Sequence, residues 1–257
     1  MEIVIISVVA FFASLLTFFS GFGLGTILTP VFILFFPIEI AISLTGIVHF
    51  LNNIFKLLLT YKNINWEIAF RFSVTAIIFS LLGAWLLTMI SGDMVIAQYT
   101  LFHTIRSITL IKLVMALLMA VFVILEIHPA LNKIAFGKDK IMYGGALSGF
   151  FGGLAGFQGA LRSMFLIKCG LAKESFISTG IFIACMIDIT RLTAYFGSFS
   201  QLSLKDNSHI LFSSVIAAFA GAFLGSKLLQ KVTYQTVQYL VSILLIFLAL
   251  LLGFGIL

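Results

Sequence analysis

Shifted along itself by 135 positions, this chain meets its own polar residues. Gly21-Phe22 falls on Gly156-Phe157, Glu39 on Glu174, Ser43 on Ser178 and Ile54 on Ile189. In the same ungapped register Asn53 falls on Asp188, Lys56 on Arg191 and Tyr61 on Phe196. Apolar letters coincide readily in a Phe-, Ile- and Leu-rich chain; matched polar residues do not. Internal duplication in a membrane chain points to a carrier whose site lies where the halves meet.

The chain is of the membrane kind. With 61% hydrophobic and 9% charged residues and a mean hydropathy of +1.21, it has too little polar surface to cover a soluble core. Apolar runs fill nearly the whole length at 3–20, 23–36, 40–60, 68–90, 107–127, 141–155, 159–169, 174–196, 208–229 and 234–256. Several approach the ~20 residues that span hydrocarbon, and they are too long for barrel strands, so the expected fold is an all-α integral membrane protein. The N-terminus lacks a basic stretch and a small-residue cleavage site and reads as a retained membrane segment of a multi-pass protein in the plasma or inner membrane. The net charge of +6 is the Lys/Arg excess of cytoplasmic loops, so nucleic acid is not implied. Cys169 and Cys185 show no metal-ligand spacing, and no HExxH, GxSxG or P-loop is present; no cofactor is implied.

In each half the first two apolar runs are short and divided only by glycine-rich turns, Ser20-Gly21-Phe22-Gly23-Leu24-Gly25 and Gly152-Gly153-Leu154-Ala155-Gly156-Phe157-Gln158-Gly159. A helix of about 14 residues reaches only about 21 Å. Each pair is therefore one broken crossing or a hairpin that returns to its starting side. Positive charge separates these. If the pairs return, each repeat has three full crossings and the halves are inverted. Lys56, Lys62, Lys133, Lys138, Lys140, Lys168, Lys173, Lys227 and Lys231 then share one side, with Glu2, Glu39, Asp93 and Lys205-Asp206 opposite and Arg106 the main exception. The expected organisation is repeat one over 1–127, a cytoplasmic linker over 128–140 and repeat two over 141–257.

At a glycine break the following helix starts with free N–H groups, which together with the helix dipole favour an anion. The candidate binding residues are Ser20, Gly21, Phe22, Gly23, Gly25 and Thr26 in the first turn. Their counterparts in the second are Gly156, Phe157, Gln158, Gly159, Arg162 and Ser163. The competing reading of the glycines is tight helix packing. Phe22 and Phe157, in register, are candidate paired gates. Thr29 is a further hydroxyl beside the first turn.

Arg162 lies deep, and an intramembrane arginine is functional by default. It could fork onto an oxyanion, pair internally with Asp188 or Glu174, or snorkel. Its counterpart in repeat one is Ile27, which makes any such contact asymmetric. Asp188 and Arg191 share a helix face and are spaced for an ion pair, Asp188 being also a candidate for proton coupling. Asn52, Asn53 and His49 occupy the matching face of repeat one, His49 as a packing residue or a ligand. Glu39 and Glu174 suit helix N-termini, where the dipole stabilises carboxylates.

The run from Ser20 to Gly25, ending in Pro30, resembles the first glycine motif of the TauE/SafE sulfite-exporter family, and Gly149 to Gly159 resembles the second. Arg162-Ser163-Met164-Phe165-Leu166, the segment Lys173 to Gly180, and Asp188-Ile189-Thr190-Arg191-Leu192 look like one branch of it. The resemblance covers essentially the whole chain. It implies a permease for small sulfur-containing anions such as sulfite, sulfonates or sulfoacetate, with protons as a candidate coupling ion. Leu24 and Gln158 interrupt the continuous Gly-Gly-Gly of the commoner pattern, which bears on sulfite as the substrate more than on transport. The alternatives are a passive anion channel of the same architecture and a membrane enzyme using Cys169 as nucleophile.

Overall fold

The computed structural model describes residues 1–20, 23–92, 94–101, 103–128, 134–199, 207–228 and 234–257. Gly21, Phe22, Asp93, Lys133, Lys205, Asp206 and Lys231 lie outside the described residues, as does the side chain of Ser20.

Helices occupy most of what the apolar runs mark out: α1 (Glu2–Ser20), α2 (Leu24–Ile33), α3 (Ile38–Thr60), α4 (Trp66–Ile90), α5 (Leu110–Ile127), α6 (Ile141–Ala155), α7 (Gly159–Leu166), α8 (Lys173–Phe199), α9 (Ser208–Leu228) and α10 (Tyr234–Gly253). Among the described residues four spans are long and apolar enough to cross a membrane, Ile38–Asn63, Trp66–Ile90, Lys173–Phe196 and Ser208–Lys227. With 10 and 8 residues, α2 and α7 reach only about 15 and 12 Å and cannot cross alone. Pro30 removes a backbone donor inside α2, which ends three residues later. At the start of α4 the Asn65 side chain accepts from the Ile68 N–H at 3.1 Å. Asn65→Ala should cost about 1 kcal/mol in a detergent unfolding experiment.

One element departs from an all-α fold. Residues Val95–Leu101 and Thr104–Thr109 form an antiparallel hairpin, β1 and β2, pairing Leu101 with Thr104 and Tyr99 with Arg106. The run is rich in Val, Ile, Thr and Tyr, and its alternation suits a pleated ribbon. His103 takes the left-handed turn conformation at φ 63°. The hairpin docks on the chain's last residues: the Tyr99 hydroxyl donates to the Phe254 carbonyl, and Arg106 Nη1 donates to the Ile256 carbonyl at 3.0 Å. This bond accounts for Arg106, the charge that fits no side-preference rule.

The halves are interlocked, and their pairings are reciprocal. The first helix of one half packs on the fourth of the other, α1 on α9 and α6 on α4; the third helices pair (α3 with α8), and so do the fifth (α5 with α10). Backbones touch where α6 faces α4. A Cβ placed on Gly145, Gly149 or Gly153 would sit 2.3 Å from the Phe72 carbonyl, 2.2 Å from that of Ala76 and 2.1 Å from that of Ser80, in that order. On α9, a Cβ at Gly221 would meet the Phe11 carbonyl at 2.1 Å. These glycines serve helix packing.

Direction follows from the contacts. Gly46 lies against Arg191 and Leu192, His49 against Asp188, and Phe50, Ile54 and Leu57 against Ile177, Ile181 and Cys185, so α3 and α8 run antiparallel. Helices α4 and α6 run parallel, since Phe72, Ala76 and Ser80 meet Gly145, Gly149 and Gly153 in that order. The Phe136 N–H donates to the Met164 carbonyl at 3.0 Å, placing the end of α7 beside the residues that precede α6. The pair α6–α7 thus returns to the end at which it began. Lys138 binds Glu67 of α4 at that same end, at 3.1 Å.

Candidate functional site

The described residues of the two glycine turns meet where Gly25 faces Gly156. A Cβ on Gly25 would lie 3.3 Å from the Gly156 carbonyl, and Gly156 itself caps α6 with φ +81°, a conformation that L side chains rarely adopt. Neither half-helix following a turn has a side-chain cap: Gly23 precedes α2 and Gln158 precedes α7 without one. Their first N–H groups are therefore left to other acceptors.

Asp188, fully buried on α8, collects four partners from both halves. Its Oδ2 lies 2.6 Å from His49 Nδ1 and accepts from Asn53 Nδ2 at 3.2 Å. Its Oδ1 accepts from Gln158 Nε2 at 3.1 Å and from Arg191 Nε at 3.0 Å, with Arg191 Nη2 at 2.9 Å. Asn53 and Asp188 are each other's counterparts under the 135-residue shift, yet they touch. The carboxylate at Nδ1 favours the tautomer protonated there, leaving His49 Nε2 toward Gly23, whose added Cβ would lie 3.2 Å from it.

Beside this network lies a cavity of ≈ 30 Å³. Its polar walls are His49, Asn53 and Lys56 of α3, Arg162 and Ser163 of α7, and Gly23 at the start of α2; Thr17 and Phe18 of α1 and Ile177 and Gly180 of α8 are among its other walls. Arg162 is 6% exposed and Lys56 3%, so both cations are withdrawn from solvent. Arg162 makes no ion pair among the described residues; its Nη1 reaches Gln158 Oε1 at 3.5 Å, which links it indirectly to Asp188. Lys56 lies 5.4 Å from the Phe18 ring centroid, and with the Asn52 amide turned to satisfy its neighbours, Asn52 Oδ1 accepts from Lys56 Nζ at 3.3 Å.

The expected site residues thus divide. Gly23, Arg162 and Ser163 line the cavity with Asn53, whereas Gly25, Gly156 and Gly159 form the turns behind it. Thr26 and Thr29 are buried in α2. Gln158 is committed to Asp188 and Arg162. Phe157 packs on Phe122 of α5, with ring centroids 5.3 Å apart, in the apolar core. Its counterpart Phe22, with Gly21 and the Ser20 side chain, lies outside the described residues, so the paired-gate reading is not described. Glu39 and Glu174 do sit in the first turns of α3 and α8.

Lys56 is a correction of another kind. Its position four residues before a helix end reads as a cytoplasmic charge, but its side chain turns inward. The signal was available: under the shift it is the counterpart of Arg191. The Cys169 thiol, between α7 and α8, donates to the Phe165 carbonyl at 3.1 Å, and burial raises its pKa against the opposing influence of Lys138. A nucleophilic thiol needs the reverse.

No curated protein and no solved structure matches the chain. The family described as Sulfite exporter TauE/SafE matches over residues 6–252. That is nearly the full length, and it agrees with a membrane-spanning helical protein whose buried cations face an internal cavity; the chain belongs to the sulfite exporter TauE/SafE family of membrane transporters.

Proposed function

We propose that this protein is a secondary transporter of small sulfur-containing oxyanions, sulfite or organosulfonates, which bind in the cavity that opens in front of the glycine turns. The observation that carries this reading is the pairing of two buried cations, Arg162 and Lys56, with the uncapped start of α2 around one internal space. Arg162 holds the anion through its planar fork. Ser163, Asn53 and the backbone at Gly23 add directional donors.

In this reading the halves are inverted repeats, 1–127 and 141–257, joined by a cytoplasmic linker at 128–140 in the plasma membrane. The antiparallel α3–α8 pair, the reciprocal packing and the contact between Asn53 and Asp188 support inversion, because a two-fold axis lying in the membrane reverses equivalent helices. Lys62, Lys138, Lys140 and Lys173 gather at the end where α3 finishes and α4, α6 and α8 begin, which suits a cytoplasmic face. The cavity walls on α3 and α8 lie on that side of the Asp188 network, as in an inward-facing carrier. Rocking one repeat on the other must break the His49–Asp188 and Asn53–Asp188 contacts, so Asp188 with His49 is the place where a coupled proton would act.

The test is sulfite flux in proteoliposomes. Wild type should give saturable, trans-stimulated flux, and a folded Arg162→Gln variant should lose about 10- to 100-fold in apparent affinity, the worth of one charge-assisted contact. Flux without saturation or trans-stimulation would indicate a channel. Equal kinetics in the two proteins would remove Arg162 from the site.

A further inference from the structure

We infer that the cavity is built for a compact anion carrying two negative charges, with Lys56 as the second charge-bearing contact beside Arg162. This rests on the transport reading above and narrows its substrate class.

The charge balance of the interior argues for it. Among the described residues the buried Lys, Arg, Asp and Glu side chains are Lys56, Arg162, Asp188 and Arg191. Asp188 and Arg191 neutralise each other at 2.9 Å. No ion pair of the described residues includes Lys56 or Arg162, and both line the same cavity, whose walls contain no carboxylate. Two uncompensated cations withdrawn from water are costly, and a ligand of charge −2 cancels both at once.

The duplication shows how this arises. In repeat two the carboxylate stands three residues before its cation, Asp188 before Arg191. In repeat one Asn53 takes that place before Lys56, so the cation is kept and its carboxylate is not. Arg162, whose counterpart is Ile27, adds a second positive charge on one side of the pseudo-symmetric site only. The neutral partners around Lys56, Asn52 and the Phe18 ring, position the ammonium without discharging it.

Size points the same way. At ≈ 30 Å³ the cavity exceeds the roughly 10–15 Å³ needed for one water by only a few-fold. An inorganic oxyanion suits that space better than a chain bearing a distant second anionic group.

The experiment is competition against labelled sulfite flux at neutral pH, using sulfate and methanesulfonate. The two probes are close in size and share a face of sulfur-bound oxygens, but differ by one unit of charge. In wild type sulfate should compete about tenfold or more better than methanesulfonate. Lys56→Gln should weaken sulfate by about 10- to 100-fold and methanesulfonate by no more than about threefold, while Lys56→Arg should keep the wild-type order. Unchanged thermal unfolding of Lys56→Gln would show that the loss is not one of folding. Saturable sulfite flux with no preference for the dianion, or with equal losses for both probes in Lys56→Gln, overturns this inference and leaves the transporter reading standing. No sulfite flux at all in wild type overturns both.

Discussion

Asp188→Asn should destabilise the protein by about 3–5 kcal/mol and abolish transport. Arg191 is fully buried, and its guanidinium rests on Asp188 Oδ1 through Nε at 3.0 Å and Nη2 at 2.9 Å. Removing the carboxylate's charge leaves a guanidinium uncompensated in the interior, which is the expensive way to break a buried pair. The same change disturbs His49 and Asn53, which join the halves through Oδ2. Removing the cation as well should reverse the first effect and not the second. The double variant Asp188→Asn/Arg191→Gln is expected to recover most of the lost stability, since the guanidinium that lost its partner is then gone too. It should still fail to transport. Unfolding in detergent and flux in liposomes, measured on wild type and these two variants, separate the two effects. A double variant as unstable as the single one would show that the ion pair is not what Asp188 contributes.

Gly149→Ala should also damage folding, at a site where two helix backbones touch. The added methyl carbon would lie 2.2 Å from the Ala76 carbonyl and 2.7 Å from the Ala76 Cα, and backbone cannot step aside as a side chain can. Helices α4 and α6 would have to separate along the run of glycines that includes Gly145 and Gly153. The expected cost is on the order of 1–3 kcal/mol, with Gly149→Val worse. Gly253→Ala is the control. A Cβ there meets only the Ala116 Cβ at 3.5 Å, an ordinary contact, and should change stability by less than about 0.5 kcal/mol. Equal effects at the two positions would mean that close backbone approach does not hold α4 to α6.

The positions that could be read directly from the residues share a physical cause. Apolar run length marked out the helices because a chain in hydrocarbon must satisfy its own backbone. The short runs around each glycine turn predicted half-helices, and α2 and α7, at 10 and 8 residues, are shorter still than the runs that marked them. Asn53 and Asp188, singled out by the shift alone, prove to be in contact. The β1–β2 hairpin escaped because most of it lies between the apolar runs 68–90 and 107–127, and only the pairing of its strands makes a ribbon. The glycines were legible as important but not as two classes. Gly145, Gly149 and Gly153 permit contact between helices, whereas Gly23, Gly25 and Gly156 build the turns.

Local composition thus settled helix and membrane, since each depends on a residue's own transfer energy and on its neighbours in the chain. Which buried charges cancel and which line a cavity was settled by folding. The energy of a buried charge depends on groups within a few ångströms, and those arrive from distant sequence: His49 reaches Asp188 across 139 positions. Spacing alone made Lys56 a surface lysine and Gln158 a donor to the anion. Packing turned the first into the cavity and spent the second on a carboxylate, because α3, α8 and the second glycine turn converge on the same point.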